Sequence, residues 1–301
     1  MKRLYIALVL IATFHNAFSK EKKSVENKDY QFDGTISREV LENYLARSST
    51  FGSLLHLTLE DDLRMIKNTG VKFAGRAIWM WGGESKIDEL VRVGEPFAKR
   101  IHKIDPDIIL QGAIFEVVTK DVNNVAIPES VFEEFGVPKE PRNFSYKAML
   151  YPFGHRHNHW SKDSSVPDMS RLETRMWFFY VAKRWIDMGI EAIHFGQVEI
   201  MDDWDRSHRH WRDIMKRIRD YAKKNARRHI VLSDAHVPSG GIVHDGNLMF
   251  DLHSFPSRPK SVKGKPYKAI LEKGFSDSIY GRSKGGVTPS CLLYTSPSPR
   301  D

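Results

Sequence analysis

Carboxylates and imidazoles recur in this sequence just after short apolar runs. Trp79-Met80-Trp81-Gly82-Gly83-Glu84 closes the run from Val71 to Met80, and Phe115-Glu116 closes the run that starts at Asp107. His194-Phe195-Gly196-Gln197-Val198-Glu199 follows Ile190, Ser233-Asp234-Ala235-His236 follows His229, and Asp251-Leu252-His253 follows Asn247. Such groups are costly to bury beside apolar strands without partners, so their return at the same end of successive elements points to one shared site. Glutamate and aspartate supply general acids and bases, and histidine can orient them. The indoles of Trp79, Trp81 and Trp160 offer flat apolar faces. Glu116 or His194, taken alone, could equally be a core group bonded to backbone; five strand ends in agreement make the stronger signal.

A second concentration lies in the long connection from Thr119 to Ser170, rich in Pro, Asn and aromatic residues. Connections of that length are commonly lids or binding walls. It carries His155-Arg156-His157-Asn158-His159, three imidazoles at two-residue spacing that would share a side on an extended segment and could hold a metal. An exposed or hydrogen-bonding cluster is the plainer reading. Asp234, His236 and His253 form another possible set for zinc or a similar ion. Leu55-His56-Leu57, however, supplies only one imidazole on the first strand.

The elements that would position these groups alternate. Short apolar runs at Ser53 to Leu57, Val71 to Met80, Asp107 to Phe115, Ile190 to Gly196, His229 to Ala235 and Asn247 to Leu252 read as strands. Several are apolar on consecutive residues, as in Ile108-Ile109-Leu110, which suits strands covered on both faces. Between them, the patterns predict helices over Asp61 to Asn68, Ser85 to Lys103, Arg171 to Met188 and Arg206 to Arg228, ending at Gly70, before Asp105-Pro106 and at Gly189 where those signals exist. Six such units without a linker, and without a Gly-x-Gly-x-x-Gly turn after a strand, favour an α/β fold of the (β/α)8 TIM-barrel type over a doubly wound dinucleotide fold. Residues 20–50, with one short helix near Ser37 to Ala46, read as an N-terminal extension, and 51–290 as an incomplete barrel, truncated at its C-terminal side.

Residues 1–19 have the order of a secretory signal peptide: Lys2 and Arg3, an apolar run from Leu4 to Phe14, then Ala17-Phe18-Ser19. That run is shorter than the roughly 20 residues of a membrane helix. A soluble periplasmic or extracellular product is therefore expected. At the other end, Cys291 to Asp301 is similar to a translated transposon-type sequencing adapter, so 291–301 is expected to be non-native and the true C-terminus missing. The chain's single Cys lies in that tail, which leaves the rest without disulfide, thiolate ligand or Cys nucleophile. The formal charge of +8 falls to +6 without Lys2 and Arg3. Much of the surplus sits between Arg206 and Arg228, where a basic surface could attract an anionic polymer and a solvated helix face is the simpler reading.

From Phe51 to Ser290 the chain resembles the TIM-barrel glycoside hydrolases and their relatives. The likeness rests on the passage from Trp177 through Trp185-Ile186-Asp187-Met188-Gly189-Ile190-Glu191-Ala192-Ile193-His194-Phe195-Gly196, with Glu199 just beyond. The resemblance implies an acid/base Glu after strand four, matched by Glu199, and a nucleophilic Glu after strand seven, at or past residue 290. Gln197-Val198-Glu199 stands where such enzymes usually carry Asn-Glu. The implied activity is hydrolysis of glycosidic bonds by a carboxylate pair, with Glu116 or Asp234 as the other candidate carboxylates. Trp79, Trp81, Glu84, Trp160, His194, Gln197, His236 and His253 would bind substrate. This reading requires neither metal nor cofactor, and it expects an oligo- or polysaccharide substrate, no nucleic acid and no membrane contact once the signal is removed. The alternatives are a metal-dependent hydrolase on the same face and a barrel that binds glycans without cleaving them.

Overall fold

The structure is a computed structural model that describes residues 29–51, 59–237, 241–244, 247–253 and 258–272. The expected signal segment, the strand expected over Ser53 to Leu57, and the adapter-like tail lie outside these residues. Six strands form one parallel sheet: β1 (Ser48–Thr50), β2 (Phe73–Ile78), β3 (Ile109–Ala113), β4 (Ala192–Gln197), β5 (Leu232–His236) and β6 (Leu252–His253). They are hydrogen-bonded in chain order, each to the next. A doubly wound sheet reverses direction at a switch point. Here every crossover among the described residues advances the same way, which places all the crossover helices on one face, as in a β/α barrel.

The helices are α1 (Arg38–Leu45), α2 (Leu59–Thr69), α3 (Ile87–Ile104), α4 (Leu172–Asp187) and α5 (Arg209–Asn225). Strand alternation divides the interior from the helical layer. In β4, Ile193 and Phe195 join the outer core with Trp185 of α4 and Trp211 of α5. Ala192 joins the other cluster, with Phe73, Ile109, Leu232 and Leu252 from the remaining strands. Val40, Tyr44 and Leu45 of α1 complete that cluster, so α1 closes the sheet's N-terminal end beneath an apolar layer. Gly112 of β3 leaves room for the indole of Trp185, since a Cβ there would lie 2.8 Å from Trp185 Cδ1.

Two expectations are corrected. The sheet begins at Ser48, inside the stretch expected to be an extension, because Ser48, Ser49 and Thr50 pair with Phe73, Ala74 and Gly75. The strand expected over Asn247 to Leu252 is divided: Asn247–Leu248 turns back on Val243–His244 in an antiparallel hairpin, and only Leu252–His253 enters the sheet. Asp251 therefore precedes β6. Its carboxylate accepts from Ser233 N at 2.8 Å and Ser233 Oγ at 2.7 Å, away from the C-terminal rim. The basic stretch around α5 is largely paired within the fold. Arg217 meets Asp213, Lys216 meets Asp220, and Arg227 and Arg228 both meet Glu191.

Candidate active site

Above the apolar layer the interior becomes polar. Gln111 Nε2 of β3 donates to Asp234 Oδ1 of β5 at 2.5 Å, and His194 Nδ1 of β4 donates to Asp234 Oδ2 at 2.9 Å. That bond fixes the imidazole tautomer, leaving Nε2 to accept from Arg76 Nη2 at 3.1 Å. The same guanidinium nitrogen lies 3.3 Å from His236 Nε2. Complete burial, followed by the nearby Arg76 charge, holds the His194 pKa well below the ordinary value, so the ring is neutral, as an acceptor must be. Arg76 has φ of 52° at the register shift of β2 between Ala74 and Ile78. Such an irregularity re-aims a side chain. It lets Arg76 reach the interior network although Gly75 beside it already faces Gln111.

The C-terminal rim joins the ends of β3 and β4. Glu116, 3 % exposed, accepts from Gln197 N at 3.0 Å on one oxygen and from Gln197 Nε2 at 2.7 Å on the other. Gly196 makes this possible: its φ is +63°, and a Cβ there would stand 1.8 Å from Glu116 Oε2. Trp160 Nε1 donates to the Glu116 carbonyl at 2.9 Å. Its ring meets Trp81 edge-on at 5.1 Å, Trp81 meets Phe115 at 5.4 Å, and Trp79 meets Phe115 at 5.7 Å. An aromatic wall thus stands beside a buried carboxylate, with Trp81 44 % exposed.

Glu199 is half-buried in the 3-10 turn Val198–Met201 directly after β4. Around it, Tyr151 donates its hydroxyl to Ile200 O at 3.1 Å, and Trp204, largely exposed, stacks on His155 at 5.2 Å. His208 Nδ1 bonds Asp202 Oδ2 at 2.7 Å. That bond raises the His208 pKa, and the Glu199 charge acts in the same direction.

Several expected site residues are placed differently. Glu84 is 2 % exposed and turned inward, where it accepts from Thr119 N at 2.7 Å and Thr119 Oγ1 at 2.5 Å. Burial raises its pKa, with the Thr119 bonds opposing. It ties two loops together. Asp234 is fully buried between Gln111 and His194, whose side chains it orients. The three loop histidines diverge. His155 bonds Asp203 at 2.8 Å, His157 Nε2 donates to Tyr151 O at 2.7 Å, and His159 packs edge-on against Trp160. Among the described residues, no group of three or more His, Cys, Asp or Glu is arranged to hold a metal ion. His253 sits in β6 opposite Ala235, and its side chain is outside the description. Sequence reading passed over Arg76 and Gln111, although both are polar breaks within runs otherwise read as strands.

No family model matches the chain, and no curated protein does. Solved structures with partial similarity in backbone include a debranching enzyme from Nostoc punctiforme, at 12 % identity and a TM-score of 0.41, over 65 % of this chain and 41 % of that one. An α-amylase from Geobacillus thermoleovorans in complex with acarbose is similar at 12 % identity and 0.42, over 70 % and 51 %. An α-galactosidase from Thermus thermophilus in complex with stachyose is similar at 14 % and 0.39, over 65 % and 43 %. The chain thus spans about half or less of the length of these enzymes.

Proposed function

We propose that this protein is an exported carbohydrate-active hydrolase that cleaves glycosidic bonds at the C-terminal rim of its parallel sheet. The observation that carries the reading is the Glu116–Gln197 clasp. It joins the ends of β3 and β4 under an aromatic wall of Trp81, Trp160 and Phe115 and orients the turn that bears Glu199. Sugar rings present apolar C–H faces to indoles and hydroxyls to amides and carboxylates, and this rim offers both kinds of partner.

Glycosidic hydrolysis requires one carboxyl that protonates the leaving oxygen and a second that either attacks the anomeric carbon or activates water. Glu199 is assigned the first role. Its turn is accessible, and the donor arrangement around Glu116 is fixed before substrate arrives. Glu116 is assigned as the companion carboxylate, with Gln197 free to exchange its bond for a sugar hydroxyl. Asp234, His194 and His236 hold Arg76 and the floor of the site.

The test is release of reducing ends from a panel of neutral and acidic polysaccharides by the purified full chain. The expected result is cleavage that is lost in Glu199→Gln, with its unfolding midpoint retained, and in Glu116→Gln, with stability lowered by no more than about 1–2 kcal/mol. Tight glycan binding without turnover by the wild type would instead make this a binding barrel.

A further inference from the structure

Outside the rim, the loop after β3 and the 146–171 segment line an open cavity of about 510 Å³. Lys120, Lys147 and Arg171 line it together with Phe153, His157 and Asp163. Three features set it apart from an ordinary surface hollow. Phe153 is 100 % exposed, on a turn where its φ is 56°. Phe153, Arg156, Asn158 and Asp163, four of the seven non-glycine residues with positive φ among the described residues, fall in this one loop. Asn and Asp adopt the left-handed region readily, but at Phe153 and Arg156 it persists only where surrounding structure imposes it, as happens at functional sites. The lining also carries one cation more than its carboxylate partners balance. Lys120 pairs with Asp163 at 2.7 Å, Arg171 leans on Asp168 at 3.4 Å, and Lys147 is exposed at the mouth.

We infer that this cavity is an accessory subsite for a sugar unit bearing an oxyanion, a carboxylate or a sulfate ester, with Phe153 stacking on the ring and Lys147 and Arg171 meeting the charge. An exposed phenyl ring beside cations suits a ligand that is flat and apolar on one face and anionic at its edge. The site adjoins the proposed catalytic rim through Tyr151, which lines the cavity and bonds Ile200 O in the Glu199 turn. The inference deepens the glycan reading, and it names acidic glycans as the substrate class.

Binding is measured by calorimetry in the Glu199→Gln full chain, so that turnover plays no part. The probes are three oligosaccharides of equal length: neutral, uronic-acid and sulfated. At least one acidic probe is expected to bind about tenfold more tightly than the neutral one. That ratio should collapse in Lys147→Ala and in 0.5 M salt, because exposed charge contacts are screened. Phe153→Ala should weaken all probes that occupy the site. Both residues are exposed, so thermal unfolding should be unchanged. Equal affinity for neutral and acidic probes, or an acid preference that survives Lys147→Ala, would overturn the inference. Acid-selective binding by a protein that hydrolyses nothing would leave this subsite standing while removing the catalytic reading.

Discussion

The two ends of the parallel sheet treat buried charge in different ways. At the N-terminal end, Glu191 is 1 % exposed and met by opposite charge, accepting from Arg228 Nε at 2.6 Å and Arg227 Nη2 at 2.7 Å. Arg228 also lies 3.8 Å over the ring of Phe32, and α1 covers the apolar layer beside it. At the C-terminal end, Glu116 is nearly as buried but is held by the amides of Gln197, and Glu84 by the amide and hydroxyl of Thr119. Opposite charges cancel each other's field and lock a closure. Neutral donors leave a carboxylate's charge in place and can be exchanged for a ligand's hydroxyls. One end is closed by ion pairs, while at the other the buried carboxylates are held by neutral donors, and it is at that end that β/α barrels carry their active sites.

Breaking the closed end should have the largest effect. Glu191→Ala strands two guanidinium groups and is expected to cost about 3–5 kcal/mol, read as the urea midpoint, whereas Glu116→Gln should cost about 1–2 kcal/mol. Equal losses would remove the distinction between the ends.

His102 lies 3.8 Å from Glu191, and burial, helped by the Arg227 charge, holds its pKa down to about 4. The unfolded imidazole takes up a proton near pH 6.5 that the folded one refuses. Stability from this group is therefore full above that pH and declines as pH falls toward 4, by about 3 kcal/mol over the window. His194, also depressed, acts in the same direction. Denaturant titrations at pH 7, 5.5 and 4 should show the decline, and His102→Gln should flatten part of it.

Smaller effects sharpen the contrast further. Gly196→Ala must place a Cβ on Glu116 Oε2 at φ +63°. A cost of roughly 1–3 kcal/mol is expected, together with loss of the Gln197 clasp, which hydrogen exchange at the Gln197 amide would report. Ser37→Ala removes the N-cap bond to Val40 N at 3.2 Å and should cost about 1 kcal/mol in thermal unfolding, with the C-terminal rim unaffected.

Alternation of apolar runs with amphipathic stretches made β2 to β5 and α2 to α5 legible, because burial of strands and of one helix face imposes a period on sequence. Ser48–Thr50 carries no such period. Three polar residues enter the sheet there only because Phe73–Gly75 supplies the partner edge. The rim was legible as a list but not as roles. Glu84, Glu116 and Asp234 look alike in sequence, and only tertiary contacts separate a loop tie, a clasped rim carboxylate and a buried support. The spacing of His155, His157 and His159 suggested a shared side. Positive φ at Arg156 and Asn158 turns the backbone between them and sends the rings to different partners. Arg76 escaped notice because a lone arginine inside a strand gives no hint of a register shift.

The central claim is that Glu199 protonates the departing glycosidic oxygen, and leaving-group dependence tests it most directly. A natural glycan leaves as an alkoxide that needs the proton; a dinitrophenyl glycoside leaves readily without one. Comparing kcat/KM, which reports the first bond-breaking step, for wild type and Glu199→Gln on both substrates, a loss of about 10²- to 10⁴-fold is expected on the natural glycan and little loss on the activated one. Equal losses on both substrates, or full activity of Glu199→Gln on the natural glycan, would contradict it.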